Sequence, residues 1–320
     1  MSLTRGQVDS LARVGISKML GDSVFKNHAY LSRLEKKKKK WDGTKYQVPF
    51  NYFGRSQTTG KFYVGAENLE GTIYDPFTSM QFELKEIEET ITIAMRDIAL
   101  TSGDSGVINL LESRLKFAEK AMRERMTSGI FSDGTAATGE ATTAQFVGQA
   151  AFLLSSSVNY GGVTSSDVST HVAYVSSNGG TNRALTTALI QTVFGGSAEG
   201  EEKVSLAIQR QGVMNSLQEL LKPHQRTTRE SSLDNLGHKG SILVYNGVDF
   251  IVDNLSLANA ISFINEDHVH LIYHPDFNMK NEEFSKLEDS DARRNRISWK
   301  GAYVCDTLRY QGKLADITET

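Results

Sequence analysis

INLLESRLKFAEKAMRERMTSGIFSDGT, residues 108–135, decides how the rest of the chain is read. Leu111, Leu115, Ala118, Met122 and Met126 recur at helical spacing and make one apolar stripe. Glu112 with Lys116, and Glu119 with Arg123, lie four apart on the wet side, where opposite charges support a helix. Asp104 or Ser105 can cap its start, and Gly129 supplies a left-handed stop. The spacing predicts a helix over 105–128, a rod of about 36 Å at 1.5 Å per residue. Such a rod is longer than a small core needs.

Upstream of it the chain is extended. Met80, Phe82 and Leu84 alternate with polar residues, and so do Ile91, Ile93 and Met95. Tyr46, Val48, Phe50 and Tyr52 share one face of a strand that runs to Phe53. GRSQTTG at 54–60 is a turn-rich tip, and KFYVG at 61–65, with Phe62 and Tyr63, reads as the return strand. A lone two-stranded hairpin is marginal in water, so this one needs a partner surface. Tyr46, Val48, Phe50, Tyr52, Phe53, Phe62 and Tyr63 are therefore candidates for contact between subunits. The first forty residues hold a short helix with Thr4 and Gln7 at capping-box spacing, and end in Lys36, Lys37, Lys38, Lys39 and Lys40. Nothing in them could form a core alone, so they read as an arm packed on something else.

Downstream, short helices and strands mix. TNRALTTALIQTVF (181–194) and QGVMNSLQELLK (211–222) read as helices, the second stopped by Pro223. SILVYNGVDFIVDN (241–254) is a hairpin turning on Asn246-Gly247. FINEDHVHLIYH (263–274) reads as one strand with flanks, and the tail from Ile297 through Trp299, Tyr303 and Cys305 as one or two long strands.

Composition narrows the function. The chain has 320 residues, enough for one large domain or two small ones, with a net charge of −3. That balance gives no global case for nucleic acid or membrane binding. Cys305 is the only cysteine, which excludes an intrachain disulfide and fits a reducing compartment. The N-terminus lacks the apolar stretch of a signal peptide, and no apolar run is long enough for a membrane span.

A search for chemistry finds little. Gly195 to Gly200 has phosphate-loop spacing, but Glu201 occupies the lysine position and would repel phosphate. His268, His270 and His274 would share one side of a strand near Asp267 and Asp276, a grouping that could hold zinc in a metal-dependent enzyme. A semi-polar strand face accounts for the same pattern more simply. The five lysines could contact phosphate as a DNA-facing basic run. On an acidic chain without interleaved aromatics, a solvated charged segment is the more economical account. No catalytic, cofactor-binding or metal-binding residue is assigned.

The order of parts resembles the Hong Kong 97-type capsid fold of tailed-bacteriophage major capsid proteins. The resemblance rests on residues 108–135, NYGGV (159–163), GSILVYNGVDFIVDN (240–254), FINEDHVHLIYHPDFNM (263–279) and ISWKGAYVCDTLRYQGKLADIT (297–318), taken in sequence. No tryptophan follows Gly162, where the family often has them; Trp41 and Trp299 are the only two. The resemblance implies an α+β chain with an N-arm at 1–43 and an extended β-hairpin loop at 44–77 lying on a neighbour. It places a peripheral domain at 78–135 and 276–320, with its spine helix at 105–128, and an axial domain at 136–275. It further implies a non-enzymatic subunit of hexamers and pentamers in an icosahedral head. That head is assembled in the host bacterial cytoplasm around double-stranded DNA held without sequence specificity. A separate scaffolding protein and a portal are the expected partners, because the arm is too short to scaffold. Lys45 and Lys61 could donate to the covalent cross-links some members make, but no motif names an acceptor. An encapsulin-like compartment shell is the alternative use of the same fold.

Overall fold

The computed structural model describes residues 28–51, 64–65, 77–96, 104–135, 145–221, 243–282 and 284–319. The chain enters through α1 (Ala29–Lys36) and β1 (Lys39–Lys40), then β2 (Lys45–Asn51), β3 (Phe77–Glu83), β4 (Lys85–Ala94) and α2 (Asp104–Phe131). A middle region follows with α3 (Gln149–Phe152), β5 (Asn159–Tyr160), β6 (Val163–Thr164), β7 (Tyr174–Ser176), α4 (Thr187–Ser197), β8 (Leu206–Gln209) and α5 (Gln211–Leu221). The last part holds β9 (Leu243–Tyr245), β10 (Val248–Val252), β11 (Ile261–Ile264), β12 (Val269–Tyr273), β13 (Lys280–Asn281), β14 (Ser285–Lys286), β15 (Ala292–Cys305) and β16 (Gly312–Leu314).

Two larger sheets organise these elements. The first is built on β15, fourteen residues long. β4 runs antiparallel along it from Ala292↔Ala94 to Gly301↔Lys85, while β12 takes its far end from Val269↔Cys305 to Tyr273↔Gly301. β1 joins the outer edge of β12 in parallel. On the inner face of β15, Ile297, Trp299, Tyr303 and Cys305 are buried, together with Leu115, Ala118, Met122 and Met126 of α2. The alternation of the tail and the stripe of the helix are thus two halves of one core. The second sheet runs β7-β16-β11-β8-β10-β9. Ile190 and Val193 of α4 and Val213, Met214 and Leu217 of α5 share a core with Phe250, Phe263 and Leu314 of its strands.

The local readings hold in their main lines and differ at the joints. α2 continues to Phe131, so Gly129 lies inside the helix rather than stopping it. Its missing Cβ makes room for Phe146, whose Cδ2 would stand 2.8 Å from that atom; Gly134, at φ +89°, takes the left-handed position instead. Glu119, expected on the wet side, is buried. The helix expected over 181–194 spans Thr187–Ser197, because Thr186 caps it by accepting from Leu189 N–H at 3.3 Å. The 241–254 hairpin turns as read, with Asn246 at φ +53° and Gly247 at φ +78°.

Strand partners depart further. β2 pairs with β3, from Lys45↔Glu83 to Asn51↔Phe77; Val64 and Gly65 of the expected return strand are not in a strand, and 61–63 lie outside the described residues. The 263–274 stretch is two strands in two sheets, β11 in the second and β12 in the first. Asn265 breaks it, since its side chain accepts from the Asp267 N–H at 3.1 Å and closes a turn. The tail likewise splits, β15 serving the first sheet and β16 the second.

Candidate assembly surfaces

The described residues of the β2–β3 ribbon are anchored toward its base. Val48, Met80 and Phe82 are buried in the first core, and Gln81 N–H donates to the Gly161 carbonyl at 2.8 Å. Gly161 and Gly162, at φ +62° and +80°, form the two-residue turn between β5 and β6. A Cβ on Gly161 would meet Met80 Cβ at 2.7 Å, so glycine is what lets this turn sit against β3. A cavity of about 290 Å³ opens beside the contact, lined by Phe82, Lys85, Val147, Gly162 and Tyr303 among others. Of the contact candidates, Tyr46 packs edge-on to Trp41 at 5.3 Å and Val48 is in this chain's own core. Phe50 lies in the ribbon opposite Thr78, whereas Tyr52, Phe53, Phe62 and Tyr63 lie outside the described residues.

The lysine run is partly engaged by its own subunit. α1 buries Tyr30, Leu31 and Leu34 against the first core, and β1 extends the edge of that sheet. Lys37 Nζ reaches Asp267 at 2.7 Å, Lys38 reaches Glu35 at 3.2 Å and sits over the Tyr273 ring, and Lys39 approaches Asp306 at 3.9 Å. Lys36 and Lys40 are exposed. The arm is therefore not wholly peripheral: residues 28–41 pack on their own subunit.

The histidines on and beside β12 each take a different partner. His268 pairs with Glu202 at 3.2 Å and His270 with Asp306 at 2.9 Å, while His274 Nδ1 accepts from the Asp276 N–H at the start of a short 3-10 turn. Among the described residues no three His, Cys, Asp or Glu side chains come together around a point that could hold a metal ion. The glycine run at 195–200 serves packing: Gly196 lies in α4 against the ring of Tyr174.

Sequence reading missed the buried polar net at the centre of the first core. Tyr30 and Tyr303 hydroxyls meet at 2.6 Å, Gln149 Nε2 donates to Tyr303 at 3.4 Å, and Cys305 N–H donates to the Tyr160 hydroxyl at 2.9 Å. Burial pushes all three phenols and the Cys305 thiol up, so none is a nucleophile near neutral pH. Arg33 was also missed. It holds Glu266 through Nε at 2.8 Å and Nη2 at 3.1 Å, and Asp249 through Nη1 at 2.9 Å, tying α1 to the second sheet. The spacing of Tyr30, Leu31 and Leu34 was the available signal for a docked helix.

No family model matches the chain, and no curated protein matches its sequence. In three dimensions the likeness spans nearly the whole molecule. A chain of the cyanophage A-1(L) capsid asymmetric unit superposes with a TM-score of 0.66 at 13% identity, covering 91% of this chain and 93% of that one. A chain of the SrpI encapsulin complex of Synechococcus elongatus gives 0.56 at 12% identity over 90% and 87%. A chain of Mycobacterium phage Bobi gives 0.54 at 13% identity over 98% and 99%. The chain has the Hong Kong 97-type capsid fold, as the order of its sequence phrases implied.

Proposed function

We propose that this chain is the major capsid protein of a tailed bacteriophage, self-assembling into hexamers and pentamers of an icosahedral head around double-stranded DNA. One observation carries the reading. The superposition on a phage capsid chain spans more than nine tenths of both chains, 91% of this one and 93% of that one, which leaves little room for an added catalytic domain. The residues agree with it. The described strands of the ribbon pair only with each other, and a shell supplies the neighbouring surface such a ribbon lacks. Shell contacts can each be weak because many act together. The described residues hold no helix that could cross a membrane.

In this reading 1–43 is the N-arm, its end docked on its own subunit, and 44–77 is the loop laid on a neighbour. Residues 78–135 and 276–320 are the peripheral domain and 136–275 the axial domain, with β12 and β16 exchanged across that division. The subunit works with a separate scaffolding protein and a portal, contacts DNA without sequence specificity, and ends in the virion after assembly in the bacterial cytoplasm. Electron microscopy of the purified full-length protein tests this. Icosahedral particles, tubes or capsomers are expected, whereas a monodisperse monomer under every condition refutes it. Efficient closed shells from this chain alone would refute the separate scaffold. The likeness to an encapsulin keeps a second reading, a compartment shell. Particles filled with a protein cargo rather than DNA would favour it.

A further inference from the structure

α2 has one face in the core and one in water, and the wet face is not inert. Phe117 is 72% exposed at its middle, an unusual position for a phenyl ring on a helix that buries Leu115, Ala118, Met122 and Met126. Arg114 and Lys116 beside it are exposed and pair with no carboxylate whose side chain is described, that of Glu112 lying outside the description, whereas further along Lys120 pairs with Glu124 and Arg125 with Glu89. The same subunit carries the opposite charge elsewhere. The turn between β14 and β15 is closed by Leu287 N–H donating to the Ala292 carbonyl at 3.0 Å, and it exposes Glu288, Asp289 and Asp291. Those three meet no cation among the described residues.

We propose that the exposed face of α2 in one copy receives the acidic 287–291 turn of a second copy. The inference rests on the shell reading and deepens it by naming one contact of the lattice. The two surfaces are different patches of one chain, so the contact is head-to-tail, the kind that closes into rings or continues as a lattice. Within one copy neither patch satisfies the other, and on a chain of net charge −3 a basic patch is a local attractor for its own acidic parts. Phe117 argues for a protein occupant over DNA. A phosphate backbone gains nothing from a phenyl ring, whereas a covering turn takes that ring out of water.

The test is charge reversal with rescue in the full-length protein, with assembly read by electron microscopy and folding by thermal melts. R114E/K116E alone and E288K/D289K alone should each melt like the parent and each reduce particle yield at least tenfold. Combined in one chain they should restore yield to within about threefold of the parent. Reversed variants that assemble like the parent would overturn the contact while leaving the shell reading in place. So would a combined variant that folds but is not rescued, or reversed variants that assemble normally and lose only DNA retention. A parent chain that forms no particle or capsomer under any condition would remove both.

Discussion

The α1–β1 segment and the β2–β3 ribbon follow one another in the chain and are held by different means. The α1–β1 segment is fixed along its length: Tyr30, Leu31 and Leu34 are buried, Arg33 grips two carboxylates of the other layer, and Lys37 and Lys39 reach Asp267 and Asp306. The ribbon is fixed at its foot, through Met80, Phe82 and the glycine turn at 161–162. The difference shows that an extension belongs to its own subunit where large side chains meet a prepared core.

The comparison can be broken most forcefully at Tyr30. Tyr30→Ala empties a fully buried site and removes the nearer of the Tyr303 hydroxyl's two partners, so it should cost about 3–5 kcal/mol in chemical denaturation of the subunit. A cost below about 1 kcal/mol would mean that α1 is not integral to the core. At the ribbon's foot, Gly161→Ala must place a Cβ against Met80 at positive φ, and should cost about 2–3 kcal/mol. Hydrogen exchange should show the loss concentrated in 77–83 and 159–164, and protection unchanged there would remove the glycine's assigned role.

Arg33→Ala leaves Glu266 and Asp249 without their cation, for an expected loss of about 2 kcal/mol. Arg33→Lys should recover only part, because an ammonium cannot repeat the fork on Glu266. Full recovery by lysine would show that charge alone matters. The smallest effect concerns pH. The hydrogen bond and charge of Lys37 hold the Asp267 carboxyl below its ordinary value of 3.8. Its folded pKa lies below its unfolded one, so its contribution is present above about pH 4 and is lost as pH falls through the lower, folded value. Lys37→Gln should therefore flatten the acid limb of the stability curve slightly and leave stability near pH 7 almost unchanged, because the pair is exposed. An unchanged acid limb would show that the pair contributes nothing.

Periodic signals within one element were legible. The stripe of α2, the alternation of β15 and the Asn246-Gly247 turn appear in the structure where the sequence puts them. Missed were features whose partners lie far along the chain: the 273-residue separation of Tyr30 and Tyr303, or the 233 between Arg33 and Glu266. Of the contact candidates, Val48 lies in the chain's own core and Tyr46 packs against it, while Tyr52, Phe53, Phe62 and Tyr63 lie outside the described residues.

Local patterns, by themselves, determined which segments would be helix or strand and which faces would be apolar, because spacing of 3.6 or 2 residues is an intrinsic property of a backbone. Pairing was decided only in the tertiary structure. An alternating strand fits any other alternating strand equally well, so nothing in 45–51 says that 77–83 rather than 61–65 lies beside it. The same freedom let 263–274 divide between two sheets once Asn265 bent the chain. It also let Gly129, a plausible stop by composition, become the place where Phe146 presses against the helix.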